Sequence, residues 1–136
     1  MGQSSFSGPM KVGTLGDGGN VVLAKMGTMT QNSTTAVSVT LTVPENASIL
    51  DAYFDVTTAW DSGTSATGSI GTVAAGTQYG GSINLKTAAR GEPAYTVAQL
   101  AAMANVGSNT NVVFTSTISG ATTAGTARCV VRYMMN

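Results

Sequence analysis

Apolar residues recur at every second position over long stretches of this chain, and this period constrains the fold more than any other feature of the sequence. The clearest example is Val37–Val43, in which Val and Leu alternate with Ser and Thr. Successive side chains of a β-strand point to opposite faces of a sheet, so the pattern places all the branched apolar residues on one face. The segment predicts a half-buried strand that ends at the turn residues Pro44, Glu45 and Asn46.

The same period predicts further strands along the chain. The residues predicted to face the core in segment 50–60 are Leu50, Ala52, Phe54, Val56, Thr58 and Trp60. Segment 67–73 is predicted to return as its hairpin partner. Strands are also predicted over 82–86, 112–118 and 127–135, and the last turns inward Ala127, Cys129, Val131, Tyr133 and Met135. The continuous apolar run 21–26 predicts a strand buried on both faces.

One segment changes to a helical period. Thr96 is predicted to cap a short helix over 97–104 that ends at Asn105 or Gly107. The residues at helical spacing are Val97, Leu100 and Ala104. Seven or eight strands with a single short helix predict an all-β fold, an antiparallel β-sandwich or barrel, with a jelly roll as the first choice.

The chain divides into an arm and one domain. Residues 1–20 are rich in glycine and have only scattered apolar residues, so they predict an extended N-terminal arm, either disordered or laid against a neighbouring subunit. Residues 21–136 are the predicted β-sandwich domain, of a size that fits one core. Segment 1–11 lacks the features of a secretory signal, and no stretch approaches the ~20 apolar residues of a membrane helix. We therefore expect a chain that starts at Met1, is made in a cytoplasm and has no membrane partner.

Charge is scarce throughout the sequence. Charged residues make up 9% of the chain, histidine is absent and the net charge is zero. Soluble domains usually have about 25% charged residues, so much of this surface is predicted to be covered by other protein. A neutral chain also favours self-association. No cluster of Lys and Arg could neutralise a run of phosphates, and we expect no nucleic-acid partner.

The residues of common catalytic sites are missing or isolated. Cys129 lies in an alternating run and is predicted to be a core residue, because it has neither a second cysteine nor a histidine to act as its base. No Gly-x-Ser-x-Gly motif occurs. Gly16, Gly18 and Gly19 precede a strand, so they do not form a phosphate-binding loop. The sequence therefore predicts no enzyme, no catalytic or metal-binding residues and no cofactor.

Three acidic residues and two sequence motifs give weak signals. Asp51 and Asp55 lie about 13 Å apart on one strand face, too far to share a proton, and with Asp61 they lack the spacing of a calcium loop. We interpret them as solvated strand and loop positions. The glycosylation motifs at 32–34 and 46–48 are interpreted as turns, since no secretory signal accompanies them.

Aromatic residues offer the strongest hypothesis for a small ligand. Those that could stack on a sugar ring are Tyr53, Trp60, Tyr79 and Tyr95. Trp60 continues the predicted inward face of its strand, however, so a role in the core or at an interface is favoured for it.

Several segments together resemble a known class of proteins. They read ILDAYFDVTTAWDSGT at 49–64, SIGT at 69–72, INLKTA at 83–88 and a final strand from Gly125 to Tyr133. In this style of sequence, over roughly 49–135, the chain resembles small virion proteins of tailed bacteriophages, of the head decoration or cement type. The later strand of this pattern reads DLKTA, and here Asn84 stands in place of its Asp. The N-terminal third of the chain has no matching motif.

The resemblance implies a structural role. Decoration proteins sit on the outside of an icosahedral capsid, often as trimers, and have no active site. By this resemblance the chain is expected to bind the major capsid protein and to stabilise the shell. The alternatives are a receptor- or carbohydrate-binding module of a phage fibre and a tail or neck component.

Overall fold

A computed structural model describes residues 10–11, 18–19, 21–31 and 35–136 of the chain. The strands are β1 (Met10–Lys11), β2 (Gly18–Gly19), β3 (Leu23–Thr30), β4 (Val37–Val43), β5 (Ala47–Thr58), β6 (Ser65–Gly71), β7 (Gly80–Asn84), β8 (Arg90–Gly91), β9 (Thr110–Ser119) and β10 (Thr126–Met135). Helix α1 (Val97–Ala104) lies between β8 and β9. The first two short strands pair with each other in an antiparallel ladder.

The other eight strands form two antiparallel sheets that pack face to face. The first sheet has the order β3-β10-β5-β8, and the second has the order β4-β9-β6-β7. Buried apolar residues of both sheets form one core between them. Over the residues described, the predicted all-β class, the antiparallel sandwich and the single short helix are therefore confirmed.

Two glycines allow aromatic rings to fill the core. Phe54 of β5 and Phe114 of β9 meet edge to face, with ring centroids 5.3 Å apart. A Cβ atom at Gly68 would lie 2.6 Å from the Phe54 ring, and one at Gly125 would lie 2.5 Å from the Trp60 ring. Heavy atoms of a packed core do not approach so closely. The backbone can lie this near to the two rings only because both residues are glycines, which have no side chain.

The predicted helix has the predicted ends. Thr96 is the N-cap: its hydroxyl accepts a bond from the Gln99 N–H at 3.2 Å, and the Gln99 side chain accepts one from the Thr96 N–H at 2.9 Å. The face at the predicted spacing is exposed instead of buried, with Val97 84% exposed, while Met103 is the buried residue. The spacing defines a face of the helix but does not say which face meets the sheet.

The prediction that segment 21–26 forms a strand buried on both faces is wrong. Strand β3 begins at Leu23, continues through Gly27 to Thr30 and lies at the edge of the first sheet. Its first apolar residues are exposed, including Met26 at 60%. A continuous apolar run is typical of a central strand, but its position within a sheet depends on partners that lie far away in the sequence.

The predicted hairpin between segments 50–60 and 67–73 is also wrong. Strand β6 lies in the second sheet, between β9 and β7, whereas β5 lies in the first sheet. The loop 59–64 carries the chain from one sheet to the other. By sequence pattern alone, two consecutive strands joined by a loop can form a hairpin within one sheet or can lie in two different sheets.

The predicted inward faces of β5 and β10 fail at their ends. Leu50 and Met135 were expected to be buried but are exposed, as is Thr58. The register shifts between Arg132, which pairs with Asp51, and Tyr133, which pairs with Ile49. This bulge turns Leu50 outward and Ile49 into the core, because the extra residue reverses the alternation beyond it.

Most of the predicted arm, residues 1–20, and the motif at 32–34 lie outside the described residues. The turn at 44–46 is present, and Asn46 adopts a left-handed backbone conformation with φ of 60°. Asparagine tolerates this conformation better than most residues.

Candidate functional site

The thiol of Cys129 has the environment of a core residue. The side chain is fully buried and has no disulfide partner. Burial raises the pKa of the thiol to about 12, because a thiolate would lose its hydration there. The predicted core role of Cys129 is confirmed.

The three acidic candidates lie apart from one another and bond locally. Asp51 pairs with Arg132 and Asp55 pairs with Arg128 on the outer face of the first sheet. Asp61 accepts bonds from the Thr123 side chain and from the N–H groups of Thr123 and Ala124. These bonds lower the pKa of Asp61 below its usual value. Among the residues that the structure describes, no three Asp, Glu, Cys or His residues could hold a metal ion together.

Two of the four aromatic candidates lie in the core and two lie nearer the surface. Trp60 is 2% exposed, which confirms its predicted core position, and Tyr79 is also buried. The Tyr95 hydroxyl donates to the Ala52 carbonyl at 3.1 Å and accepts from the Ala52 N–H at 2.9 Å. Tyr53 lies on the outer face of the first sheet under the Arg90 guanidinium, 4.2 Å from the ring centroid. Trp60 and Tyr79 are therefore closed to a sugar, while Tyr53 and Tyr95 are partly exposed and already contact Arg90 and Ala52.

A shallow pocket of about 300 Å³ lies beside β8. The residues that line it are Asn84, Thr87, Ala89, Arg90, Gly91 and Glu92. Arg90 is paired with Glu92 at 3.7 Å and covers Tyr53. Arg90, the one cation of this lining, therefore has an acidic residue beside it, in an ion pair that is exposed to solvent.

Charge is concentrated on one side of the molecule. The outer face of the first sheet, or its edge, carries three ion pairs: Arg128 with Asp55, Arg132 with Asp51, and Arg90 with Glu92. They include six of the twelve charged residues of the chain. Arg132 donates through Nε to Asp51 at 2.7 Å and through Nη2 to the other carboxylate oxygen, and this bidentate bond raises the pKa of the guanidinium. We call this side the charged face.

The outer face of the second sheet carries no charge on its three longer strands. The residues that alternate outward there are Ser38, Thr40, Thr42, Ser65, Thr67, Ser69, Asn111, Val113, Thr115 and Thr117. Two pairs of these polar groups bond to each other: Ser38 with Thr115 at 3.0 Å, and Thr42 with Asn111 at 2.9 Å. The loop 72–79 covers part of this face through Ala75, whose N–H donates to Thr115 at 2.9 Å. We call this side the uncharged face.

Exposed apolar side chains gather at the start of β3. Val21, Val22, Leu23 and Met26 are all more than a third exposed. Beside them, Val37, Val39 and Leu41 of β4 are only partly buried. A cluster of this kind on one side of a small protein is typical of a surface that meets another protein.

The alternation in Val37–Val43 already places uncharged Ser and Thr side chains on one strand of the uncharged face, whereas the charged face is not predicted. A signal was present, because the two acidic residues of β5 and the two arginines of β10 have the same spacing of four on outward positions. Neighbouring antiparallel strands with equal spacing can bring both pairs together.

The chain matches no known protein-family model, and neither the curated proteins nor the solved structures contain a match to it. Within the part of the chain that the structure describes, no helix is long and apolar enough to span a membrane.

Proposed function

We propose that the sandwich is a jelly roll. The pairing of its eight strands supports this topology: the first strand pairs with the last (β3 with β10), the second with the seventh (β4 with β9), the third with the sixth (β5 with β8) and the fourth with the fifth (β6 with β7). This is the pairing of one long hairpin rolled into two sheets. Jelly rolls are found in viral capsid and lectin domains, among others.

We propose that the protein is a structural component of a phage virion, a decoration or cement protein that binds the outside of the capsid and has no catalytic activity. The observation that carries the proposal is the separation of charge between the two faces. Covering the uncharged face with another protein removes no ion from water, whereas covering the charged face would bury three ion pairs at a cost. The molecule therefore has one side suited to protein contact and one suited to solvent.

The proposed partners are further copies of this chain, in a trimer, and the major capsid protein. The exposed apolar cluster at the start of β3 adds area that such a contact would remove from water, at about 25 cal/mol per Å². Residues 1–20 lead directly into this cluster. We propose that they reach a neighbouring subunit or the shell.

The sequence resemblance supports decoration over the alternatives. A receptor- or carbohydrate-binding module would need aromatic rings exposed together, and Trp60 and Tyr79 are buried. No contact or surface of the described residues favours a tail or neck component over a capsid protein.

Location on the particle tests the proposal. Antibodies against the purified chain are expected to label the heads of phage particles from the cells that make it, and cryo-electron microscopy is expected to show matching density outside the shell. Label on tail fibres would support the receptor-binding alternative, and label at the neck would support the tail component. Particles that lack the chain altogether would contradict any virion role.

Deletion of residues 1–20 tests the role of the arm. The shortened chain is expected to keep its thermal unfolding midpoint but to bind depleted particles less tightly than the full chain. Equal binding by both chains would show that the arm is not needed for attachment.

A further inference from the structure

We propose that strand β4 pairs with the same strand of a second copy of this chain, antiparallel and about a two-fold axis through Thr40. The proposal shares with the proposed function only the expectation that copies of this chain associate. It commits to one two-fold contact, which differs from the three-fold contact that the proposed trimer would need. Its argument comes from the four sheet edges of the sandwich and from the pattern of β4 itself.

Three of the four edge strands carry features that oppose pairing with another chain. Strand β3 has Lys25 on the core-facing side of its register, opposite Val131, with the residue exposed at the edge, and a lysine on an edge strand discourages strand addition. Strand β8 has only two residues and includes Arg90. Strand β7 has a register shift against β6, and its Ser82 has a left-handed φ of 56°. Short length, charge and irregular backbone are the usual protections of a sheet edge.

Strand β4 has none of these protections. Its seven residues include no charge, no glycine and no proline. Its pairing with β9 runs from Val37 to Val43 without a shift, so the strand is regular along its whole length. Among the described residues no strand pairs with its other edge. A long, regular and uncharged edge of this kind is a template for strand addition.

The occupant is argued from the pattern of the strand. Read in either direction from Thr40, the sequence Val-Ser-Val-Thr-Leu-Thr-Val keeps the same order of apolar and hydroxyl residues. In an antiparallel pair centred on Thr40, Val37 of one copy faces Val43 of the other, and Val39 faces Leu41. Ser38 then faces Thr42 on the opposite side. Every apolar residue meets an apolar residue, and every hydroxyl meets a hydroxyl, so the strand is complementary to itself.

The contact also covers apolar side chains and backbone groups that a single copy leaves exposed at this edge. Val37, Val39 and Leu41 pack against the core but remain partly exposed at this edge. A second β4 would cover them and would pair the free N–H and C=O groups of the edge. Because both copies bring an uncharged strand, no charges repel or lose their hydration. The contact is isologous, so it uses the edge of both copies and closes as a dimer instead of growing into a fibre.

Charge placed on the axis tests the pairing. Thr40→Lys and Thr40→Asp each bring two like charges face to face across the axis, so each variant alone is expected to weaken the dimer about tenfold or more. An equal mixture of the two variants is expected to restore a mixed dimer, because the charges then attract. Sedimentation velocity and native mass measurement over a range of concentrations read the outcome on the full chain.

The matched control is Thr67→Lys. Thr67 is exposed on the same uncharged face but lies on β6, inside the sheet. This variant is expected to dimerise like the unmodified chain. Circular dichroism and the thermal midpoint show that each variant is folded, as expected for exposed positions.

The outcomes separate this contact from the proposed function. If Thr40→Lys keeps the wild-type mass, or if the mixture stays monomeric, the β4 contact is overturned, while labelling of phage heads would still support the virion role. If deletion of residues 1–20 increases dimerisation strongly, the arm of the same chain covers the edge, and the proposal is overturned in favour of that occupant. Association that is weakened in each variant by itself and restored in their mixture supports the two-fold register.

Discussion

At the scale of single residues, close approaches between glycines and aromatic rings set the packing of the core. Gly125 lies against Trp60, the single tryptophan of the chain. Gly125→Ala would place a Cβ atom 2.5 Å from this buried ring, so ring or backbone must move. We expect a loss of about 1–3 kcal/mol of unfolding free energy, measured by denaturant unfolding with tryptophan fluorescence.

The control for this variant is Gly63→Ala, since a Cβ atom there meets nothing within 4 Å. Its unfolding free energy is expected to change by less than about 0.5 kcal/mol. Equal losses for both variants would show that glycine flexibility matters here, and not contact with the ring.

Asp61 gives a residue-scale prediction about pH. Its folded pKa is lowered from 3.8, chiefly by the Thr123 side chain and then by the N–H groups of Ala124 and Thr123. A group with a lowered folded pKa stabilises the protein above its unfolded pKa, and this contribution is lost as the pH falls through the folded pKa. Asp61→Asn is therefore expected to lower the thermal midpoint at neutral pH, and the difference from wild type should shrink below about pH 4.

Measuring the midpoints of both proteins across this range checks the sign. Thr123→Val, which removes the side-chain donor, is expected to reduce the same pH dependence. A difference that stays constant down to acid pH would mean that the charge of Asp61 does not hold the loop.

At the scale of elements, the sequence predicted strands better than it predicted their partners. Strand β4 and the helix α1 that Thr96 caps depend only on neighbouring residues, so the ends of both elements are predicted correctly. The bulge that exposes Leu50 depends on the register between β5 and β10, which lie about seventy residues apart. Two of the three ion pairs of the charged face, those of Arg128 and Arg132, depend on the same register, so they could be located only once the two strands were seen side by side.

Gln31 joins the end of β3 to β9 and to the loops that contain Thr35 and Trp60, and it gives the prediction at this scale. It follows β3 and is fully buried, and its Oε1 accepts a bond from Ser116 of β9 at 2.5 Å and a longer one from the Trp60 Nε1 at 3.5 Å. Its Nε2 donates to the Thr35 carbonyl at 2.6 Å. Replacing it with an apolar residue leaves buried polar groups without this partner. Gln31→Met is expected to cost about 1–3 kcal/mol of unfolding free energy.

A double-mutant cycle with Ser116→Ala isolates the bond between the two side chains. The sum of the two single-variant losses of unfolding free energy is expected to exceed the loss of the double variant by a coupling energy of about 1 kcal/mol. Strictly additive losses would show that Ser116 and Gln31 stabilise the core independently of each other.

At the scale of the whole molecule, the sequence predicted the class of fold but not which strands lie next to each other. The uncharged outward residues of β4, which are Ser38, Thr40 and Thr42, could be read from the sequence because the alternation of a strand is a local pattern. This local pattern could not show that half of the charged residues gather on the opposite face, since two of the three ion pairs there join β5 and β10, which meet only in the folded chain. The first and last strands of the sandwich, β3 and β10, are neighbours for the same reason.

The distribution of charge predicts how the association responds to salt. The proposed β4 contact contains no charged side chain, so screening has nothing to weaken there. The dissociation constant of the wild-type dimer is expected to change less than about threefold between about 50 and about 500 mM NaCl. Sodium sulfate should strengthen the dimer, since it favours apolar burial. The mixed dimer of Thr40→Lys and Thr40→Asp provides the comparison, because its added pair of charges lies at an exposed position and should weaken as salt rises. A wild-type dimer that dissociates steeply with NaCl would place the contact on the charged face, since the ion pairs of Asp51, Asp55 and Glu92 could then exchange partners between copies.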